Sequence, residues 1–424
     1  QNLPEAIAIG TNTYARTGSI VIGARTLDKN KIAIGGTTAD KLLKPELAAM
    51  TNIGTNSYTY GTFATTLGSY NVQSSPFTGA SGLAGISDKL NNGFRNTFAT
   101  VVGSMNSNES MESGNRTSQS GVANVITGSV NRVVNSNGAI VIGSGNQVKE
   151  SLAELSGLNV QAASKGFDSV QAMQAQMIEG VKESTGGSTL VIGGANKAEY
   201  TLSSKLVGVR NTLTGTSKNK SQYDYIDGYE NTVTSAKNVT LTGTQNTVDN
   251  TNSAILFGDM RKLNRADRTV VMGAAKESKD DPVLTTATDA VIVGYNANVM
   301  KNGGAALGSN SVAATDKGTV GYDMLTGTTH IIGENDADGY AWTSTAAAVS
   351  VGDTTATKNV PIGSDTINGL ATVAVDDANT TIKTEPDTSK YILRQITGVA
   401  GEVWLCSGQS NMQFMLQQTQ DGPT

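Results

Sequence analysis

A short apolar run that ends in glycine recurs along most of this chain, and its spacing leaves few folds open. AIAIG ends at Gly10, SIVIG at Gly23, KIAIG at Gly35, FATTLG at Gly68 and FATVVG at Gly103. NVITG follows at Gly128, AIVIG at Gly143, TLVIG at Gly193, KLVG at Gly208 and YDYIDG at Gly228. VTLTG, AILFG, TVVMG and AVIVG end at Gly243, Gly258, Gly273 and Gly294, and AALG, GTVG and HIIG close the series at Gly308, Gly321 and Gly333. Gly228, Gly243, Gly258 and Gly273 stand 15 residues apart, and the last steps shorten to between 12 and 14. A fixed period of this size is the mark of a stacked-repeat architecture.

Each unit reads as two short strands. The first is the apolar run, rich in β-branched residues that suit a pleated surface. The glycine then permits a turn at positive φ that a Cβ would penalise. A second strand follows as N-x-[V/L], in Asn211-Thr-Leu213, Asn231-Thr-Val233 and Asn246-Thr-Val248. At about 3.3 Å per residue, 12 to 15 residues do not make a three-sided coil with long faces. Two strands and two tight turns fit, so a narrow all-β solenoid is expected, each coil stacked on its neighbours. N-T-V-T alternates polar and apolar, as a strand with one wet face does. A-I-V-I and A-V-I-V are apolar throughout, which calls for cover on both faces. Identical copies around an axis are the simplest cover for the outer face. The exceptions to aliphatic character, Thr127, Asp227 and Thr242, fall directly before the glycine. The position two before the glycine is therefore expected to be the enclosed one.

Composition agrees. Aromatics are 5% and charged residues 16%, against roughly 25% charged in an average domain, while Gly reaches 48. Aromatics are the usual bulky filler of a large core, so a narrow core of Val, Ile, Leu and Ala fits better. Disorder does not, because the aliphatic residues are clustered and regularly placed. The formal charge of −5, with no basic run interleaved with aromatics, makes nucleic acid an unsuitable partner. No stretch of 18 apolar residues is present, so no membrane-spanning helix is expected. The opening QNLPEAIAIG lacks the charged and apolar regions of a signal peptide, as a mature N-terminus or a piece of a longer chain would. Cys406 is the single cysteine, so neither an internal disulfide nor a cysteine-based zinc site can form. Calcium-binding β-rolls need G-G-x-G-x-D repeats, which are absent, and the Thr240 and Thr242 column does not recur as a flat ice-binding face would require.

Residues 36–52, 76–96 and 151–187 exceed one coil and read as insertions. In the last, Val170, Met173, Met177, Ile178 and Val181 follow an i, i+3, i+7 pattern that suggests a short amphipathic helix. It reads as a lid on the solenoid surface, or, more sharply, as a ligand-binding protrusion.

The AIAIG, SIVIG and AIVIG coils with their G-x-x-N turns closely resemble the head repeats of YadA-like trimeric autotransporter adhesins, over about residues 6–333. Ala348-Val-Ser-Val-Gly352-Asp353 adds to the likeness, and Arg394-Gln-Ile-Thr-Gly-Val-Ala-Gly401 resembles the neck with which such heads enter a coiled-coil stalk. The resemblance implies a left-handed parallel β-roll, homotrimeric with its copies intertwined or side by side. It also implies display on a bacterial surface, an outer-membrane anchor outside this sequence, and attachment to host surface or matrix protein, glycan or another bacterium. The chain departs from the family in two ways: some 40 residues separate the two C-terminal motifs, and no stalk heptads follow Gly401. The expected organisation is an N-terminal head solenoid (1–150), a helical insertion (151–187), a regular head solenoid (188–335), a C-terminal head and neck-like segment (336–401) and a distinct end (402–424).

That end, Glu402-Val-Trp-Leu-Cys-Ser-Gly408-Gln409-Ser410-Asn411-Met412, resembles the first block of SGNH-type esterases, particularly sialate O-acetylesterases. The resemblance would make Ser410 a nucleophile. Such chemistry needs a base and oxyanion donors, which in that family come mostly from later blocks that include an Asp-x-x-His. Only 14 residues follow Ser410, and the sole histidine, His330, lies in a repeat run and reads as a packed or edge residue. The segment is either the start of an esterase domain or an unrelated junction. No catalytic, cofactor-binding or metal-ligating residue is expected, and no cofactor. An adhesin head is the first expectation; the non-catalytic arm of a larger surface carbohydrate O-acetylesterase is the alternative.

Overall fold

The structure, a computed structural model, describes residues 7–10, 15, 20–23, 50–59, 61, 63–74, 96–109, 120–152, 174–175, 178, 189–277, 283–320, 322–323, 328–329, 343–344 and 346–352. The chain divides into two compact units, Gln1–Asn250 and Thr251–Thr424. Among the described residues each is essentially all-β, built mainly of parallel sheets whose strands are one coil apart in sequence.

In the first unit the apolar runs form one long parallel sheet. Ile140–Ser144 lies between Val125–Ser129 and Leu190–Gly194, with Ile140 opposite Val125 and Leu190, and Gly143 opposite Gly128 and Gly193. Lys205–Val209, Tyr225–Tyr229 and Thr240–Thr244 continue it in the same register. The N-x-[V/L] segments form a second parallel sheet that includes Gln147–Lys149, Lys197–Glu199, Thr212–Thr214, Thr232–Thr234 and Thr247–Asp249. Inward positions are fully enclosed: Val141, Val191, Leu206, Ile226 and Leu241 from the long sheet, Val148, Leu213, Val233 and Val248 from the other. Burial of each is worth about 1.5–3 kcal/mol. From Thr51–Ile53 onward the enclosed residue of each long-sheet strand is the one two before the glycine, as its chemistry predicts, whereas in Ile7–Ile9 and Ile20–Ile22 no residue is enclosed.

The glycine column is dictated twice over. Gly143 has φ +126°, and a Cβ there would stand 1.9 Å from the Gly193 carbonyl oxygen. The backbone sign and the close stacking of one coil on the next both exclude a side chain.

The coil has three sides, where two strands joined by tight turns are expected from the sequence. Each corner is a single residue in the left-handed conformation, such as Ser235 (φ 51°), Asn238 (φ 56°) and Gln245 (φ 55°). One-residue corners spend fewer residues than two-residue turns and free enough chain for a short third side. That side appears as Thr201–Leu202 paired parallel with Ser221–Gln222, and as the Gln222–Lys237 bridge. A non-glycine corner costs about 1–2 kcal/mol. The cost is offset because each corner N–H donates to the coil before, Gln245 to Tyr229 O at 2.9 Å and Asn238 to Gln222 O at 3.0 Å.

One expectation about the insertions changes. Thr51–Ile53 is a long-sheet strand, paired with Ile20–Ile22 and Thr65–Ser69, so residues 51 and 52 belong to a coil. It escapes the apolar pattern because Asn52 fills the inward position. Of the helical segment, Gln174, Ala175 and Ile178 are described; they are helical and exposed, and are the only helical residues among those described. Val170, Met173, Met177 and Val181 lie outside the described residues.

In the second unit Ile255–Phe257, Val270–Met272, Val291–Val293, Ala305–Leu307 and Val349–Val351 form a parallel sheet with Leu256, Val271, Ile292, Ala306 and Ser350 inward. The Ala348–Gly352 motif is thus a solenoid strand, and buried Ser350 bonds Ser311 Oγ at 2.8 Å. The run that ends at Gly321 does not continue this sheet. Val320 bridges Thr343 in antiparallel fashion, and Tyr322–Asp323 pairs antiparallel with Thr328–Thr329.

Candidate functional surface

Three arrangements in the coils bear on function: a polar spine inside, its replacement by an arginine, and the outward face of the long sheet.

From Gly68 to Gly243 the residue three after each glycine of the column is an enclosed asparagine (Asn71, Asn106, Asn131, Asn146, Asn196, Asn211, Asn231 and Asn246), and after Gly54 it is the buried Ser57, whose Oγ donates to Gly68 O. The asparagine side chains form a ladder. Asn131 Oδ1 accepts from Asn146 N and from Asn146 Nδ2, both at 3.0 Å, and Asn146 Nδ2 also donates to the Gly193 carbonyl at 2.9 Å. Asn231 repeats the pattern on Asn211 Oδ1 (3.1 and 3.0 Å) and on Gly243 O (2.7 Å). A carboxamide offers two donors and two acceptor sites, and here they are satisfied inside an otherwise apolar coil. The sequence signal was the G-x-x-N spacing, which had been assigned only to the start of the second strand.

The earliest described coils carry more polarity. Gln73 Nε2 donates to Thr66 Oγ1 at 2.9 Å, and Asn124 Nδ2 to Asn108 Oδ1 at 2.8 Å, all of them buried. Glu109, also buried, is gripped by Arg132 through Nε at 2.8 Å and Nη2 at 2.9 Å. That fork raises the Arg132 pKa.

In the second unit the ladder position holds Arg261, wholly enclosed. Its Nε donates to Gly273 O (2.7 Å), Nη2 to Gly294 O (2.7 Å) and Nη1 to Ala297 O (2.5 Å). Burial pushes its pKa down to about 10, so the group stays cationic at neutral pH.

The outward face of the long sheet is apolar and open in the single chain. In the first unit Val125, Ile140 and Ile142 stand 36–42% exposed; in the second, Ile255, Phe257, Met272, Val291, Val293 and Leu307 do so to a similar degree. Polar residues interrupt it in one stretch of the first unit. Lys205 lies over the Tyr225 ring at 4.6 Å, with Asp227, Thr240 and Thr242 on the same face. At the adjoining corner Arg210 pairs with Glu230 at 2.6 Å, and Glu230 accepts from Gln245 at 2.9 Å.

Ser410, His330 and the neck-like Arg394–Gly401 lie outside the described residues. Among the described residues no group of three His, Cys, Asp or Glu side chains is placed to hold a metal ion. No helix among them is long and apolar enough to cross a membrane. No protein-family model matches the chain, and no curated protein matches it.

Proposed function

We propose that this chain is the adhesive head of a bacterial surface fibre. Three copies associate through the outward faces of their long sheets, and a part of the protein outside this sequence anchors them at the outer membrane. The observation that carries the reading is the outward column itself: Ile140 and Ile142 flank enclosed Val141 yet remain open in the single chain. Contiguous apolar surface of this kind marks an interaction site, and identical copies about an axis cover it in the same register at every coil. The likeness of the coils to YadA-like heads supports the same assembly, a left-handed roll, and attachment to matrix or host surface protein, glycan or other bacteria. A hydrogen-bonded asparagine ladder running from coil to coil suits an extended binding arm.

Light scattering on the purified chain at micromolar concentration is expected to give a trimer, and the trimer is expected to adhere to surfaces coated with matrix protein or to bacterial cells. A stable folded monomer would sink the assembly; a trimer that adheres to none of these would sink the adhesive role. The alternative, the arm of a surface O-acetylesterase, rests on the segment Glu402–Met412. It is separated by assaying acetate release from acetylated sialic acid, where this chain is expected to show buffer background only.

A further inference from the structure

The position just before each long-sheet strand from Thr65–Ser69 to Thr240–Thr244 points into the coil and is buried throughout. It is filled by Ala64, Ala99, Asn124, Ala139, Thr189, Ser204, Asp224 and Val239. All are neutral groups except one. Asp224 is 2% exposed; its Oδ1 accepts from Val239 N at 3.0 Å, while Oδ2 is enclosed and has no hydrogen-bond partner. Asn124 shows what the site requires. Its Oδ1 accepts from Ala139 N at 2.8 Å in the same way, and its second atom is a donor, giving hydrogen bonds to Asn108 Oδ1 and Ser136 O. A carboxylate places an oxygen, which can only accept, where the amide places a donor; a protonated carboxyl restores an O–H.

We propose that Asp224 is a proton-operated element of the solenoid: protonated, it fills the interior as the neutral residues of its sister coils do, and its ionisation loosens the coils around it. The charged groups near it do not prevent this. Lys237, on the third side of the next coil, favours the ionised form, but less than burial opposes it. Lys205, on the coil before, is engaged with the Tyr225 ring, and Tyr223, beside Asp224 in its own coil, points to solvent at 56% exposure. Burial raises the Asp224 pKa from 3.8 to about 7, against the main-chain hydrogen bonds of Val239 and Gln222. The sign follows from linkage. A carboxyl that holds its proton more tightly when folded contributes stability that is complete below the ordinary carboxylate range. That contribution is lost as pH rises to about 7, above which it is gone.

The test is amide exchange at Val239 and Tyr225 in the full chain across pH 4–8, corrected for intrinsic rates, with Asp224→Asn alongside. The folded-to-open ratio is expected to fall about tenfold per pH unit between roughly pH 4 and 7 in the natural chain. It should be flat in Asp224→Asn over the same window. Infrared spectra of the natural chain at pH 6 are expected to show a buried protonated carboxyl, which gives a readout even if the variant does not fold. An unchanged pH slope in Asp224→Asn, or no protonated carboxyl at pH 6, would overturn the proposal.

Discussion

The two units solve one problem in two ways. At each glycine corner a main-chain carbonyl faces the coil interior, and it needs a donor. In the first unit an asparagine supplies it, and Asn131, Asn146, Asn196 and Asn211 repeat the device coil after coil. In the second unit Arg261 alone serves the carbonyls of Gly273, Gly294 and Ala297. The difference follows from donor and acceptor counts. A carboxamide both gives and receives, so each rung prepares the next. A guanidinium has five donors and no acceptor, so it spans several corners once and cannot propagate. It also needs room, which Ala275 and Ala297, small and buried, leave on the coils it crosses. What the fold demands at this place is a donated hydrogen bond, and the residue type is free within that demand.

The sharpest way to break the comparison is to remove the arginine. Arg261→Ala strips donors from three main-chain carbonyls, that of Ala297 buried and those of Gly273 and Gly294 partly so, and leaves a cavity where the largest fully buried side chain among the described residues stood. A loss of about 3–5 kcal/mol is expected. Amide protection should fall first within Thr251–Gly352, while amides of the first unit keep theirs. Full retention of the denaturation midpoint would mean that water replaces the guanidinium and that the arginine is not the structural equivalent of the ladder.

A single rung should cost less. Asn231→Leu keeps much of the volume but withdraws a donor from Gly243 O and the acceptor that serves Asn246 N and Nδ2. Part of the loss is shared along the ladder, and about 2 kcal/mol is expected. Urea denaturation of the two variants side by side checks the order. If Asn231→Leu proves as damaging as Arg261→Ala, the ladder behaves as one cooperative network whose rungs are not separable.

Much of this architecture was legible in the sequence, and the parts that were not share a physical cause. The glycine period gave the parallel stacking, and the placement of Thr127, Asp227 and Thr242 gave the inward face, with Ile126, Ile226 and Leu241 enclosed as that placement requires. The apolar character of A-I-V-I marked an outer face that is apolar and open in the single chain. The strand Thr51–Ile53 was missed because Asn52 and its paired neighbour Thr66 put polar atoms inward, which a search for aliphatic runs cannot register. The third side was missed because it rests on residues such as Ser235 and Asn238 in left-handed corners, where composition gives little signal. Arg261 and Asp224 carry no sequence pattern that sets them apart from other charged residues. Only the register of the coils turns them inward.

The smallest effect concerns the corners themselves, where both units mix residue types. At the position two after the glycine, left-handed residues include Asn56 (φ 52°), Asn296 (φ 56°) and Asn310 (φ 55°), but also Tyr70, Met105, Val130 (φ 51°) and Met260 (φ 58°). Asparagine enters the left-handed region more readily than most residues, and a β-branched side chain is the least suited to it. Val130 is 50% exposed, so its side chain returns little burial for that strain, and its N–H bond to Ser104 O at 3.0 Å does not depend on the side chain. Val130→Asn is therefore expected to raise stability by about 0.5–1 kcal/mol, read as a higher urea midpoint at unchanged slope. Such a gain would show that the first unit tolerates strained corners because its ladder holds the coil from within. A midpoint that stays or falls would instead make exposed Val130 part of the covered outer surface, and the substitution should then lower the trimer's stability as well.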